Sequence, residues 1–469
     1  MAFVLDKEMM RKTFFMGDEG ESFKHVPSHK IRLFPYVANN NATIIESLAG
    51  VVGEWLRLVR EQNNSCDTTE NTIKKIINLV DCDDENSKSE LLGIIKTLFW
   101  DETGNIRPTS IKSMSYIPCK DAIEQKAAQY LCSALGDHGV LKQIVNDAII
   151  SAALQSNVLE KAVLDELQSD EQTEAILEPY YRLHNAPASV FADDLRFVLE
   201  SPARTKEYLI ELLEWYYFFY TSQASLNLQR FEYGNREEIV PLYFCLDWEK
   251  TNKARNCYLY GWQQLQPAIQ QLFCHAITLE ILNQNSSGHQ YDYVAIRELI
   301  ETTEDEDEVA EQIRSVCDMY RHAIQCITPA PQCVDFNLLE RNTDLGQVFS
   351  EIHFLFDSIR VQFLNTNRGR ANNSYVKNFS DFCIKNMLKY RGQNGYMLNL
   401  TEERLIFLTK LAIKNEEQLG LNDVFDQFEM RGVYLDQLSK VELVDFYSKL
   451  NLIDKKSDSG DAQYVKRIL

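Results

Sequence analysis

Six cationic side chains fall within a short stretch of the chain in which acids are almost absent. Residues 364–396 contain a single acid, Asp381, together with several asparagines and aromatic residues. Cations and amides contact phosphates while rings stack on bases, so this mixture is typical of a groove that holds a nucleic-acid backbone. A solvated basic linker is the alternative, and the sequence supports the two equally. The predicted nucleic-acid contacts are Arg368, Arg370, Lys377, Lys385, Lys389 and Arg391, and the interleaved rings are Tyr375, Phe379, Phe382, Tyr390 and Tyr396.

Three short helices are predicted in residues 398–469, directly after the basic segment. Apolar residues recur there near a period of 3.6, in three stretches separated by Gly420 and Gly432. The third helix is the best specified, because Ser439 and Glu442 have the spacing of a capping box. Two apolar residues are also spaced as its hydrophobic staple, Leu438 and Leu443.

A β-hairpin is predicted after the third helix, where two β-prone runs flank the turn-rich residues 457–461. Three helices followed by a hairpin is the element order of a winged helix, whose hairpin touches the DNA backbone. Residues 398–469 nevertheless hold ten Lys or Arg residues against thirteen Asp or Glu residues. Because phosphate neutralisation dominates nucleic-acid affinity, docking of a protein partner has equal support. The predicted backbone contacts of the hairpin are Lys455, Lys456, Lys466 and Arg467.

A third group of cations lies in the middle of the chain. Residues 247–255 carry charges of both signs, and Trp248, Tyr258, Tyr260 and Trp262 lie among or just after them. A secondary phosphate patch is one interpretation. A buried seam of ion pairs and rings between two helical layers is the favoured one. The candidate phosphate contacts are Lys250, Lys253 and Arg255.

The composition predicts a mainly α fold. Only 18 glycines and 11 prolines interrupt 469 residues, so long helical segments are expected. Six consecutive aromatic residues, 215–220, would place rings on every side of a helix, which we therefore expect to be surrounded by other helices. We predict a multi-helical body with a C-terminal winged-helix-like domain. The predicted segments are an irregular or β-rich segment (1–40), an N-terminal helical domain (41–200), a central helical domain (201–363), a basic Asn-rich segment (364–397) and the winged-helix-like domain (398–469).

The net charge of −21 restricts any DNA surface to a local patch and fits association with a more basic protein. The acidic residues 301–311 are read as a solvated helix entry, with a docking strip for a basic partner as the alternative. The N-terminal residues carry no export signal, no apolar run is long enough to span a membrane, and the eleven cysteines contain no CxxC pair. We therefore expect a cytoplasmic protein with free thiols. We predict no metal site, because Cys317, His322, Cys326 and Cys333 are better explained as core residues.

Motifs for catalysis are missing from the sequence. Neither GxxxxGK[ST] nor GxGxxG occurs, so we predict no nucleotide cofactor. Asp121, Glu124 and Lys126 loosely match a metal-dependent nuclease, but they fall on a predicted helix where that site requires a strand. We predict no catalytic residue, cofactor or small-molecule substrate, and we keep a cryptic nuclease as a minor alternative.

Three passages together resemble the DptG/DndG family, the G subunit of the bacterial restriction system that acts against DNA lacking phosphorothioate modification. They are residues 24–36 (KHVPSHKIRLFPY), 241–265 (PLYFCLDWEKTNKARNCYLYGWQQL) and 457–469 (SDSGDAQYVKRIL). The resemblance implies membership of a multisubunit antiphage complex beside ATPase subunits. It also implies an architectural or DNA-contacting role, with duplex DNA as a partner. The alternative is a scaffold that docks proteins and makes no DNA contact.

Overall fold

The computed structural model describes residues 3–17, 22–38, 48–62, 73, 75–76, 84–166, 177–302, 305–328, 335–365, 368–455 and 463–468. Within these ranges the protein is mainly α-helical, which confirms the predicted fold class at that level. Nine helices are described up to residue 229: α1 (Lys7–Thr13), α2 (Ala49–Arg60), α3 (Glu85–Phe99), α4 (Ile111–Met114), α5 (Ala122–Ala134), α6 (His138–Gln155), α7 (Val158–Glu166), α8 (Ala186–Leu199) and α9 (Pro202–Gln229).

The described helices after residue 229 are α10 (Asn256–Leu259), α11 (Trp262–Gln270), α12 (Leu272–Leu282), α13 (Tyr293–Ile300), α14 (Glu306–Ile327), α15 (Gln347–Asn365), α16 (Gly369–Asn386), α17 (Glu402–Ile413), α18 (Leu421–Glu429) and α19 (Gln437–Lys449). The described strands are β1 (Tyr243–Leu246), β2 (Leu388–Tyr390), β3 (Tyr396–Leu400), β4 (Gln418–Gly420), β5 (Tyr434–Leu435), β6 (Ile453–Lys455) and β7 (Gln463–Lys466).

Helix α9 lies at the centre of the core. It begins at Pro202, whose fixed φ suits the first position of a helix. The aromatic residues 215–220 are all at most 2% exposed. Helices α2, α8 and α11 pack against α9, so the prediction that other helices surround these rings is confirmed.

A four-stranded sheet joins the middle of the chain to its C-terminal part. The strand order is β2-β3-β1-β5, with β1 parallel to both β3 and β5 and with β2 antiparallel to β3. The sequence did not predict this sheet, because strands of two to five residues are too short to show a clear alternation. Since α16, β2 and β3 are all packed elements, the alternative of a solvated linker is wrong for residues 368–396.

The C-terminal residues form three helices, α17 to α19, followed by the hairpin of β6 and β7. Strand β7 also pairs with β4, which gives an antiparallel sheet of order β4-β7-β6. Helix α19 begins earlier than predicted, because Asp436 is its N-cap and accepts from the Ser439 amide. The predicted capping box and staple are therefore wrong: the Ser439 hydroxyl donates to Glu249, and Leu438 is 59% exposed.

The N-terminal segment is more regular than expected. Within residues 1–40, helix α1 forms because Asp6 caps it by accepting from the Met9 amide. The proline-bearing part is not helical, as predicted, and Glu280 of α12 anchors it by accepting from the amides of residues 29–31. The predicted boundary between the N-terminal and central helical domains, at residues 200 and 201, lies between the largely buried helices α8 and α9, which pack against each other.

One cluster of buried apolar residues runs through most of the protein. It includes Phe3, Trp55, Trp215, Tyr375 and Leu443, so all five predicted segments contribute to it. A smaller cluster joins α3 and α7. No helix in the described ranges has both the length and the apolar character needed to cross a bilayer. None of the eight cysteines in those ranges forms a disulfide, and six of them are buried.

Candidate nucleic-acid interface

Helix α16 carries three of the predicted cations on its outer face. At 3.6 residues per turn, Arg370, Lys377 and Lys385 fall within about 80° of one another around the helix axis and span about 22 Å along it. All three side chains are exposed. Arg370 has no ion-pair partner among the described residues, and Lys377 lies 3.8 Å from the Asp381 carboxylate. We call these three cations the outer stripe.

The opposite face of α16 fixes the direction of the outer stripe. Tyr375, Phe379, Phe382 and Cys383 are at most 1% exposed and pack into the core. The rings of Phe379 and Phe382 contact Tyr217 of α9. The prediction that these rings interleave with the cations to stack on bases is therefore wrong for Tyr375, Phe379 and Phe382. Only Tyr390 and Tyr396, at 64% and 39% exposed, retain accessible rings.

A cleft of about 510 Å³ opens at the start of α16. Arg368, Arg370 and Lys24 line it. Lys24 also lines a second cleft of about 500 Å³, to which Lys126 contributes another exposed cation. His25 lies between the two clefts, and burial together with the neighbouring Arg368 lowers its pKa to about 3. His25 is therefore neutral near pH 7 and adds hydrogen-bonding capacity rather than charge.

The two remaining cations of the basic segment, Lys389 and Arg391, are half-buried and hydrogen-bonded to other parts of the chain. Lys389 Nζ donates to the Asp247 carboxylate at 2.8 Å and to its carbonyl oxygen at 2.9 Å. Arg391 Nη1 donates to the Glu249 carbonyl at 2.7 Å, while Nη2 donates to the Leu246 carbonyl at 2.6 Å. These contacts tie the β2–β3 hairpin to the loop after β1 and leave both cations with partners in the chain.

The candidate phosphate contacts in the middle of the chain also include both a buried, paired cation and exposed ones. Arg255 is 7% exposed and forms ion pairs with Asp436 at 2.5 Å and Glu249 at 3.3 Å. Burial alone would lower the pKa of Arg255, but the hydrogen bonds and charges of these carboxylates raise it above its usual value. A phosphate-contacting role for Arg255 is therefore wrong, whereas Lys250 and Lys253 remain exposed.

The favoured interpretation of this motif as a buried seam is confirmed for Arg255, and the half-buried Trp248 packs beside it. Trp248 packs on Phe446 with ring centroids 4.9 Å apart, and its Nε1 donates to the Glu442 carboxylate at 3.1 Å. The seam joins the loop after β1 to α19, rather than two helical layers. It therefore fixes the position of the third C-terminal helix.

The C-terminal hairpin presents two described cations. Lys466 and Arg467 are exposed, and the Arg467 Nη1 donates to the Asn415 carbonyl at 3.3 Å. Lys455 ends β6, while Lys456 lies outside the described residues. The pairing of Ile453 with Val465 fixes the register of the hairpin and places Lys466 at the base of β7, where its amide donates to the Leu452 carbonyl.

The outer face of α19 is apolar rather than basic. Leu438 and Val441 are 59% and 51% exposed, and Asp445 follows them one turn later. Lys440 lies 3.6 Å from the Glu429 carboxylate. A helix that presents exposed apolar side chains beside an acid has the character of a protein-docking surface.

The loose nuclease pattern lies at the start of α5, a helix, as predicted. Asp121 caps that helix by accepting from the Ile123 and Glu124 amides. The Glu124 carboxylate accepts from the Lys120 amide, so both acids have structural roles. Within the described ranges, no group of three or more side chains has an arrangement that holds a metal ion, and Cys333 lies outside those ranges.

Sequence reasoning missed the N-terminal contribution to the basic surface. Lys24 and Lys126 are distant from α16 in sequence, and only the folded chain brings them to the clefts beside it. One signal was present, since residues 24–32 contain three Lys or Arg residues and two histidines but no acid. Neither a protein-family model nor a curated protein matches this chain.

Proposed function

We propose that this chain is a non-catalytic subunit that contacts duplex DNA within a larger restriction complex. The single observation that carries the proposal is the outer stripe of α16, where Arg370, Lys377 and Lys385 face outward along about 22 Å of helix. Duplex DNA carries one charge per about 1.7 Å of its axis, so the stripe has the length to contact several phosphates. The cations of the adjoining clefts extend this basic surface.

The C-terminal region supports the proposal in a secondary way. We propose that residues 398–469 form a winged helix, because three helices are followed by a hairpin that pairs with a strand between the first two helices. Lys466 and Arg467 of the hairpin are then flanking phosphate contacts. The resemblance to the DptG/DndG family supports a place beside ATPase subunits in a system that acts on DNA lacking phosphorothioate.

A salt titration of the full chain with a short DNA duplex tests the proposal. Three phosphate contacts give a plot of log K against log salt with a slope of about −2.7, and hairpin contacts make it steeper. We expect binding at about 50 mM salt that weakens strongly by about 200 mM. Failure to bind duplex DNA at the lower salt concentration would remove the DNA-contacting role. Incubation of plasmid with the protein and Mg²⁺ tests the non-catalytic part, and we expect uncut plasmid.

Protein docking by α19 is a second candidate function, and the exposed Leu438 and Val441 favour it. Replacement of these residues by aspartate places charge on an apolar docking surface while leaving the buried face of the helix unchanged. If α19 docks a partner, Leu438→Asp with Val441→Asp abolishes co-purification with the ATPase subunits but preserves DNA binding. Retained co-purification would exclude α19 as the docking element.

A further inference from the structure

A third cleft, apart from the two basic ones beside α16, has the opposite electrostatic character. Its volume is about 760 Å³, and it lies where the 3₁₀ turn Phe231–Tyr233 meets the end of α13 and the starts of α14 and α15. Neither the outer stripe nor the C-terminal hairpin contributes a residue to it. Its chemistry is therefore separate from the proposed DNA contacts.

Carboxylates dominate the lining of this cleft. Glu232, Glu238, Glu301 and Glu306 line it, against a single described cation, Arg297. Arg297 is held in place, because its Nη1 donates to the Glu232 carbonyl at 2.7 Å and its Nε lies 3.8 Å from Glu301. Glu301 and Glu306 are exposed at the mouth of the cleft. Such a mouth repels phosphate and attracts a cation.

Glu232 provides an unfilled acceptor in the wall of the cleft. Glu232 is 8% exposed, and its Oε2 lies 3.0 Å from the His353 Nε2. Its Oε1 is buried and has no hydrogen-bond partner among the described residues. Buried carboxylate oxygens in proteins are normally paired, so this oxygen leaves Glu232 with unused acceptor capacity beside the cleft.

Aromatic surface completes the site. Tyr233 is 72% exposed at the rim, and Phe349 is 7% exposed within the lining. A guanidinium group is planar, binds carboxylates through paired donors and stacks on aromatic faces, whereas an ammonium group is a compact point charge. The combination of carboxylates with an exposed ring therefore matches arginine better than lysine.

We propose that this cleft binds an arginine side chain of a basic partner protein. The net charge of −21 favours approach by such a partner, and the acidic start of α14 extends the attraction beyond the cleft. The cleft is therefore expected to prefer arginine to lysine, a preference that a general attraction between opposite charges does not produce.

The test uses the full chain and a fluorescein-labelled peptide in which arginines alternate with glycines, followed by fluorescence anisotropy. Matched peptides carry lysine or uncharged citrulline at the arginine positions. We expect the arginine peptide to bind tightest and the citrulline peptide not to bind. Equal affinity for the arginine and lysine peptides would overturn the proposal, and so would an absence of binding.

Two pairs of substitutions locate the contact. Glu301→Gln with Glu306→Gln removes two charges from the mouth of the cleft, and we expect affinity for the arginine peptide to fall by about tenfold or more. Asp307→Asn with Glu308→Gln removes the same number of charges from the first turn of α14, which also carries Glu306, but neither residue lines the cleft. An equal loss from both pairs would show diffuse attraction and overturn the proposal.

Tyr233→Ala tests the contribution of the ring. The side chain is largely exposed, so unchanged thermal unfolding is expected for this variant. We expect weaker binding of the arginine peptide and a reduced preference for arginine over lysine. An unchanged preference would contradict the assigned stacking.

Discussion

The two ends of the basic segment have similar residue types but different availability for a ligand. At the open end, residues 368–385, cations lie on the outer face of α16 or line a cleft. At the closed end, residues 388–391, Lys389 and Arg391 donate to the loop after β1. The sequence shows a continuous run of positive charge, whereas the folded chain presents only part of it to a partner.

The difference arises from the elements that carry the cations. An amphipathic helix buries one face and exposes the other, so cations opposite its apolar face remain outside. A short hairpin that joins a sheet brings its side chains next to carbonyl oxygens of the neighbouring strand end, as at Leu246 and Glu249. Net charge alone therefore overestimates the binding surface, and the type of element decides which cations remain accessible.

The largest predicted effect is a loss of stability when the buried ion pairs of Arg255, next to the closed end, are broken. Arg255→Gln leaves Glu249 and Asp436 without their buried cation, and breaking such a pair typically costs about 3–5 kcal/mol. We expect a lower midpoint of urea unfolding, followed by tryptophan fluorescence, with unchanged DNA affinity for the folded fraction. Lys253→Gln is the control, because that side chain is exposed and its replacement costs less than about 0.5 kcal/mol. Equal midpoints of urea unfolding for the two variants would contradict a stabilising role for the buried ion pairs of Arg255.

Neutralising the whole outer stripe gives the largest expected effect on binding. The triple variant Arg370→Gln, Lys377→Gln and Lys385→Gln removes three phosphate contacts, so its salt slope becomes shallower by about 2.7. Its unfolding midpoint stays close to that of the wild type, because the changes lie on an exposed face. The matched control replaces three exposed lysines on other helices and keeps the wild-type slope: Lys96→Gln, Lys161→Gln and Lys206→Gln. Equal slopes for both triple variants would mean that the stripe has no special role.

A smaller expected effect is a pH dependence of stability that arises from Glu280, which anchors the N-terminal segment beside the two basic clefts. Burial outweighs the backbone hydrogen bonds of Glu280 and raises its pKa to about 7 from an ordinary 4.5. Between about pH 4.5 and 7 the folded chain therefore keeps a proton on Glu280 that the unfolded chain has lost. The contribution of Glu280 to the free energy of unfolding falls as the pH rises through this window, by at most about 1.4 kcal/mol per pH unit. Glu280→Gln cannot ionise, so the stability of the wild type relative to this variant decreases across that window. A difference that is constant with pH would refute the raised pKa.

The predictable parts of the fold were those with a long or well-bounded pattern. The helical character, the surrounded rings of residues 215–220 and the order of the C-terminal elements followed from periodicity and turn residues. The sheet around β1 was not predictable, because its short strands pair between residues about 150 to 190 positions apart.

Within the site, the sequence identified the cations but not their partners. Helical spacing alone places Arg370, Lys377 and Lys385 opposite the buried rings, so the outer stripe was recoverable from the sequence. The hydrogen bonds of Arg391 were not recoverable, because its acceptors are mostly backbone carbonyls, which every residue has and which therefore produce no sequence pattern. The N-cap of α19 was misplaced because Ser439 has a buried tertiary partner, Glu249.

A comparison of Arg370→Gln with Arg391→Gln tests the central claim most directly, because the same substitution is made at the open and the closed end. The measurement is the salt slope of duplex binding, with the unfolding midpoint recorded for each variant. For Arg370→Gln we expect the slope to become shallower by about 0.9 and the midpoint to be unchanged. For Arg391→Gln we expect an unchanged slope and a stability loss of about 1–3 kcal/mol, because carbonyl acceptors lose their donor. An unchanged slope for Arg370→Gln, or a shallower slope for Arg391→Gln, would contradict the account.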